Sequence, residues 1–226
     1  MKRSEVNETL RAGDAFIRSF GFHLPPFAHW TPDEFHANAS EAIRSAGLGW
    51  DLTDFGFGRY AESGLLLFTL RNGRQADLKA GRGMCYAEKA MVVRDRQVTP
   101  MHRHNIKAED IINRGGGDLV LSIHGSDPQG NVDPQSRVTV PTDGTLRELP
   151  PGGHLRLRPG ESVTLLPGVW HSFWAENGDV LAGEVSTVND DLTDNVFAQE
   201  VGRFARIDED EAAWRLLVAD YNSPKI

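Results

Sequence analysis

The sequence predicts a mainly β protein, a jelly-roll β-barrel with helices from the N-terminal segment and one C-terminal helix packed outside it. Short β-type segments follow one another from Trp50 to Val188, and glycine, proline, asparagine and aspartate separate them. Apolar residues have helical spacing before and after this region. We therefore expect a single domain, 1–226, because barrels of this length are commonly undivided. Its helical segment, barrel and final helix would be 1–48, 49–205 and 206–226.

Two helix starts are visible in the N-terminal segment. Ser4 precedes apolar residues at roughly helical intervals, which predicts a helix with a serine cap. Thr31 and Pro32 precede two acidic residues, which suits a capping threonine and a proline in the first turn. This second helix is expected to run to Ser45 and to end near Gly47.

The central region is typical of a barrel built from short strands. We predict that residues 125–145, which are rich in turn formers, make a long surface hairpin or loop. Residues 208–221 predict an amphipathic helix. The predicted strands are 65–70, 86–93, 97–104, 111–112, 119–124, 137–140, 154–158, 162–166, 170–175 and 180–188.

Composition excludes several classes of function. The net charge of −8 argues against nucleic acid as a partner, since phosphate binding needs clustered lysine and arginine. Cys85 is the single cysteine, so no intramolecular disulfide can form and a cytoplasmic protein is expected. The longest apolar run, 65–68, is far too short for a membrane span.

Three histidines and a glutamate have the spacing of a metal site. His102 and His104 lie on the same face of a predicted strand because side chains alternate between faces. Glu109 follows after a turn, and His171 lies in a later strand. Together they make a ligand set that suits a divalent first-row metal.

A predicted hairpin adds a carboxylate to this site. The Asn-Gly pair at 177–178 is a strong signal for a two-residue turn. If Glu176 pairs with Asp179, the register places Glu184 opposite His171, and directly opposed residues share a face. Glu184 would then lie beside the metal.

A weaker hairpin adds an ammonium group. A turn at 95–96 would place Lys89 opposite His102, although these two residues include no glycine. A metal, a carboxylate and an ammonium favour proton transfer beside a carbonyl group. This is the chemistry of aldose–ketose isomerisation, with Glu184 and Lys89 as catalytic residues.

The metal motif resembles the cupin superfamily. Glycines follow Glu109 at 115–116, and Gly160 and Gly168 precede His171 at the spacing of the second cupin motif. At the positions where the family has a proline and a late asparagine, this chain has Leu166 and Ala175. These departures concern turns and leave the four ligands intact.

Most of the chain also resembles the D-lyxose isomerase family. That resemblance implies Mn²⁺ at the four ligand positions, with Co²⁺, Fe²⁺, Ni²⁺ or Zn²⁺ also suited to them, and it implies Lys89 and Glu184 in the active site. Two positions depart from the family pattern: Val196 replaces an expected arginine, and Arg103 replaces a more aromatic residue. The matching segments are 49–56, 67–73, 86–89, 98–102, 109–117, 170–174, 183–186, 189–191 and 194–195.

The resemblance implies a small sugar as substrate and, by analogy with other cupins, a homodimer. Trp50, Trp170 and Phe173 are candidate walls for the sugar, together with Phe55 and Trp174, and Asp194 is a candidate partner for its hydroxyl groups. Ordinary core aromatics and an exposed loop acid explain these residues equally well.

Three alternatives remain open from the sequence. The same ligands hold iron or nickel in cupin dioxygenases, so an oxidoreductase is one alternative. A phosphosugar isomerase would need inward-facing cations, and Arg71, Lys107 and Arg114 are the candidates. A sugar-responsive binding protein without turnover is the third.

Overall fold

A computed structural model describes residues 1–191, 193–202 and 206–222, which form a curled β-sheet with short helices outside it. The predicted mainly β fold class is confirmed. The strands are β1 Gly49–Thr53, β2 Leu65–Asn72, β3 Tyr86–Val93, β4 Thr99–His104, β5 Glu109–Ser126, β6 Val132–Asp133, β7 Val138–Thr142, β8 Thr145–Leu149, β9 His154–Leu157, β10 Ser162–Leu165, β11 Trp170–Thr187 and β12 Asn195–Phe197. The helices are α1 Arg3–Ser19, α2 Pro32–Asn38, α3 Glu41–Ser45 and α4 Gln75–Ala80, with 3₁₀ turns at Pro26–His29 and Val218–Asp220.

The longest strands, β5 and β11, form the centre of the sheet. They pair antiparallel from Trp170 opposite His124 to Ser186 opposite Glu109. The other edge of β11 pairs with β4 near its start and with β3 along its second half. The sheet continues from β3 to β2 and β1, and from β4 to β12, so that β11 joins both halves of the barrel.

The hairpin predicted at 177–178 is wrong. Asn177 and Gly178 do adopt positive φ angles, 65° and 121°. They form a bulge within β11, however, because Glu176 pairs with Asp118 and Val180 pairs with Gly116 on the neighbouring strand β5. Segments predicted as separate strands are thus continuous in β5 and β11.

The second predicted hairpin is also wrong in its pairing. The turn at 95–96 exists, and Arg96 has a φ of 61°. Strand β11 nevertheless inserts between β3 and β4, so Lys89 pairs with Glu184 and His102 pairs with His171.

Helix α1 packs its apolar stripe against the outer face of the sheet. Val6, Leu10 and Ile17 are fully buried in one cluster with Leu66 and Phe68. The cap predicted at Ser4 is wrong, because Lys2 is the N-cap residue and its backbone N–H donates to the Glu5 carboxylate. Ser4 lies inside the helix, where its hydroxyl donates to Asp210.

The second predicted helix exists but is divided. Thr31 caps α2 together with Glu34, which confirms the predicted start. The helix ends at Asn38 instead of Ser45, because the Ser40 side chain accepts a hydrogen bond from the backbone of Ile43 and starts α3.

The helix predicted at 208–221 is wrong. The backbone there is irregular apart from the 3₁₀ turn, although Leu216 and Leu217 are buried as expected. The Asn7 side chain donates to the carbonyl of Ala212 and accepts from the backbone N–H of Trp214. In an α-helix these two backbone groups would instead form hydrogen bonds within the helix.

Parts of the predicted segments lie outside the described residues, namely 192, 203–205 and 223–226. The assignment of 1–226 to one domain stays a prediction. No helix in the described ranges combines the length and hydropathy needed to cross a lipid bilayer. Residues 134–137 are exposed, as expected for the predicted surface loop, but Val138 and Val140 of β7 are buried in the main hydrophobic core.

Arg3 allows a test of how the C-terminal segment is anchored. Its side chain is fully buried and bonds to Asp220 at 3.0 Å and to Glu209 at 2.7 Å. Arg3→Ala should lower the free energy of unfolding by about 3–5 kcal/mol, since it leaves the buried Asp220 charge uncompensated. Denaturant unfolding would measure this.

Arg59→Ala is the matched control. Arg59 pairs with Glu62 at 3.0 Å, but both side chains are more than 60% exposed. Its removal should change the unfolding free energy by less than about 1 kcal/mol. Equal losses in both variants would contradict the anchoring role of Arg3.

Candidate metal centre and active site

Three strands bring the predicted ligands together. His102 and His104 project from the same face of β4, Glu109 begins β5, and His171 lies near the start of β11. All four side chains are buried, and one ligand atom from each lies within 4.8 Å of the others. These residues could hold a metal ion.

Backbone carbonyls orient two of the imidazoles. His102 Nδ1 lies 2.8 Å from the oxygen of Pro100, and His171 Nδ1 lies 3.1 Å from the oxygen of Val169. A carbonyl only accepts, so Nδ1 carries the proton and Nε2 keeps its lone pair. This is the usual arrangement of a metal-binding histidine.

The polar atoms at the centre fit a cation. Glu109 Oε1 lies 3.2 Å from His104 Nε2 and 3.1 Å from His171 Nε2. Within the described residues, none of these three buried atoms makes a hydrogen bond. Such convergence is costly unless an ion satisfies the atoms, and imidazole with carboxylate suits a divalent first-row metal.

Electrostatics favour the protonation states that bind a metal. Burial, followed by the neighbouring His171 and His104, holds the pKa of His102 well below its usual range, so the ring is neutral. Burial acts to raise the pKa of Glu109, but the adjacent Lys107 charge overcomes it and holds that pKa well below its usual range. Glu109 is therefore ionised.

The centre opens into a cavity of about 320 Å³. One part of its wall is polar and includes Asp51, Lys89, Lys107, Glu184 and Asn195. Another part is apolar and includes Phe55, Leu65, Leu67, Met91, Ile111, Phe173, Phe197 and Val201. The cavity thus offers both hydrogen-bonding groups and apolar surface to a small polar molecule.

Lys89 and Glu184 line this cavity, although not by the predicted pairing. They are directly opposed on β3 and β11, and both are at most 4% exposed. Lys89 Nζ lies 3.4 Å from Glu184 Oε1 and 2.8 Å from Asn189 Oδ1. A carboxylate and an ammonium therefore adjoin the candidate metal centre.

Lys107 is a site residue that the sequence left undecided. It is 3% exposed, and its Nζ lies 2.7 Å from Glu109 Oε2 and 3.0 Å from Glu184 Oε1. Burial acts to lower its pKa, but Glu109 and Glu184 overcome that effect and raise it. Its only signal in the sequence was its position two residues before Glu109.

The other two candidate cations do not line the cavity. Arg71 is half exposed and pairs with Glu88 at 3.2 Å. The Arg114 side chain packs against Gly183, and its Nε lies 3.0 Å from the position that a Cβ atom would occupy on that glycine. Of the three residues considered for phosphate binding, Lys107 alone faces the cavity.

The predicted aromatic walls separate into two groups. Phe173 and Phe55 line the cavity. Trp50 instead packs in the outer cluster and donates its indole N–H to the Ala28 carbonyl at 2.9 Å. Trp170 lies under the guanidinium of Arg103, at 5.2 Å, and does not line the cavity.

Two further residues also lie away from the cavity wall. Trp174 stands beside His154, with ring centroids 5.2 Å apart. Asp194 is 3% exposed, and its carboxylate accepts backbone hydrogen bonds from the loop between β4 and β5. Both carboxylate oxygens of Asp194 are thus bound to the protein backbone, and Asp194 does not line the cavity.

Solved structures with this fold include sugar isomerases. The L-ribose isomerase of Cellulomonas parahominis, crystallised with L-ribose, superposes with a TM-score of 0.61 at 18% identity and covers 92% of this chain and 98% of its own. The L-ribose isomerase of Geodermatophilus obscurus gives a TM-score of 0.61 at 17% identity, with the same coverage. At these identities the likeness concerns the fold alone.

Sequence comparison is more specific. A D-lyxose/D-mannose isomerase from Serratia proteamaculans is 46% identical over 226 residues, and one from Escherichia coli O157:H7 is 48% identical over 230 residues. Each alignment spans 98% of both chains. The family model described as D-lyxose isomerase matches residues 1–221. The chain therefore belongs to the D-lyxose isomerase family.

Proposed function

We propose that this protein is a metal-dependent aldose–ketose isomerase that interconverts D-lyxose with D-xylulose, and also D-mannose with D-fructose. The observation that carries the proposal is the buried Glu184 carboxylate, which shares a cavity with the His102, His104, Glu109 and His171 cluster. The activities named for the 46–48% identical relatives support the choice of sugars.

The four clustered residues would hold the metal. We propose Mn²⁺, as the family resemblance implies, although the donor set also suits Co²⁺, Fe²⁺, Ni²⁺ and Zn²⁺. When bound, the ion supplies Lewis-acid polarisation of the sugar carbonyl and of a neighbouring oxygen.

Glu184 is the proposed base. It would take the proton from C2 of the aldose and return it to C1 of the enediol, while a hydroxyl proton passes from O2 to O1. Lys107, Ser186 and Lys89 approach one oxygen, Oε1, at 3.0, 3.1 and 3.4 Å. All three of these contacts go to Oε1, so Oε2 is the oxygen proposed to reach the substrate.

Lys89 and Lys107 are proposed to stabilise negative charge on the sugar oxygens. Both ammonium groups are buried, so their field is weakly screened by water. Glu109 and Glu184 contact these two lysines and offset their charge, which limits the cost of burying two cations.

The cavity wall favours a free sugar over a phosphosugar. A phosphate group needs several uncommitted cations or a bidentate arginine. The basic side chains that line the cavity among the described residues are Lys89, Lys107, His102 and His104, and both lysines already contact Glu184. A homodimer and a cytoplasmic location stay predictions.

Metal removal tests the reaction class. Chelator-treated protein should form no ketose from D-lyxose or D-mannose, and added Mn²⁺ should restore turnover. Metal binding to the folded state should also raise the unfolding free energy by about 2.7 kcal/mol at a hundredfold excess over Kd. D-xylose and L-ribose serve as comparison sugars.

Other outcomes of that assay point to different functions. Metal-dependent stabilisation without turnover of any free sugar would overturn the isomerase proposal for these substrates. Oxygen consumption with bound iron would instead favour the oxidoreductase alternative.

Variants separate the base from the metal ligands. Glu184→Gln should retain metal and fold but lower kcat by about 10²–10⁴-fold, because the amide cannot accept the proton. His104→Ala should lose both metal and turnover. Metal content by elemental analysis and ketose assays would measure both effects.

Glu148→Gln is the control for loss of a carboxylate. Glu148 is exposed on β8 and pairs with Arg137 at 2.9 Å, away from the cavity. It should match the unaltered protein in kcat and metal content. Normal turnover by Glu184→Gln would refute the assignment of the base while leaving the isomerase proposal standing.

A further inference from the structure

We propose that Asp194 is a positioning residue that holds Lys107 between Glu109 and Glu184. The catalytic consequence of this proposal rests on the proposed isomerase function, but the geometric part does not. Asp194 precedes β12, and Lys107 belongs to the loop that joins β4 to β5. The two residues are 87 positions apart in the chain.

Three backbone N–H groups of this loop donate hydrogen bonds to the Asp194 carboxylate. Asp194 Oδ1 accepts hydrogen bonds from the backbone N–H groups of Asn105 at 3.0 Å and Ile106 at 2.8 Å. Oδ2 accepts the N–H of Lys107 at 2.8 Å. Three successive amides thus bind one buried carboxylate, and hydrogen bonds to a charged acceptor are roughly twice as strong as neutral ones.

The other contacts of this loop lie mainly at its two ends, where the Asn105 side chain accepts from Arg103 and the backbone of Ala108 bonds to Thr187. Asn105 and Ile106 are exposed at the protein surface, and Ile106 is 54% exposed. The loop nevertheless runs from one candidate metal ligand, His104, to another, Glu109. Its backbone direction at Lys107 decides whether that side chain enters the cavity, so the Asp194 carboxylate controls the entry of the ammonium group.

The same segment also supplies part of the cavity wall. Asn195 and Phe197 follow Asp194 in β12, line the cavity and pair with His104 and His102 respectively. Asp194 therefore connects one wall of the substrate pocket to the loop that carries Lys107. Because both carboxylate oxygens are committed to amides, Asp194 acts through the loop and does not contact the sugar.

Asp194→Asn separates this role from ordinary packing. The amide is nearly the same size, but one of its two polar ends is a donor, which must face at least one backbone N–H. We expect kcat to fall by about 10²-fold while KM changes by less than about threefold, since displacement of a group by about 1 Å has that effect on rate. Asp194→Glu keeps the charge but lengthens the side chain, so it should also reduce kcat. This variant replaces Asp194→Asn in the test if Asp194→Asn does not fold.

Asp127→Asn is a matched control. The Asp127 carboxylate also accepts two backbone amides of one loop, from Gln129 at 2.9 Å and Asn131 at 2.8 Å, but in an exposed loop outside the cavity. It should leave both kcat and KM unchanged.

A double-mutant cycle tests whether Asp194 acts through Lys107. The double variant of Asp194→Asn with Lys107→Met should lose no more kcat than Lys107→Met alone. Additive losses would overturn the proposal, because they would mean that Asp194 contributes independently of Lys107.

Crystal structures of the two variants test the positioning role without a measurement of activity. In Asp194→Asn, Lys107 Nζ should leave hydrogen-bond distance of both Glu109 and Glu184, and in Asp127→Asn it should remain there. Retention of both contacts in Asp194→Asn would overturn the positioning role. If the unaltered protein converts no sugar, the proposed function fails, and the crystallographic comparison still decides the role of Asp194.

Discussion

The structure of the site depends on one ammonium group held between two buried carboxylates. Lys107 Nζ lies 2.7 Å from Glu109 and 3.0 Å from Glu184. Glu109 is the first residue of β5, and Glu184 lies within β11. Removing one member of such a group leaves an uncompensated charge in a medium of low polarity, which is strongly destabilising. Lys107 therefore links a candidate metal ligand to a candidate base, and Lys89 is a second cation beside that base, at 3.4 Å from Glu184.

Local rules predicted the parts of the site that depend on strand alternation. His102 and His104 share a face because the period of a strand is two, and this held whatever strand lay beside β4. Lys89 and Glu184 also line the cavity, but the hairpins that suggested them are absent. An Asn-Gly pair at positive φ fits a bulge as well as a turn, and only the pairing with β5 decides between them.

The remaining errors concern contacts between distant residues. Asn7 occupies backbone groups near Trp214, so a segment with helical periodicity does not form a helix. Lys107 lies in a loop, where no periodic pattern in the sequence predicts the direction of a side chain. Its direction follows from Asp194, and a carboxylate 87 residues away leaves no local signal in the sequence.

The two departures from the family pattern are explained together. Val196 and Arg103 are directly opposed in the pairing of β12 with β4. Their neighbours Asn195, Phe197, His102 and His104 line the cavity, so alternation turns positions 103 and 196 away from it. Arg103 donates to the Gly130 carbonyl at 3.0 Å and lies over the ring of Trp170. Arginines at both positions would place like charges opposite each other, which is unfavourable. An arginine at 103 therefore favours an uncharged residue at 196, and neither residue lines the cavity.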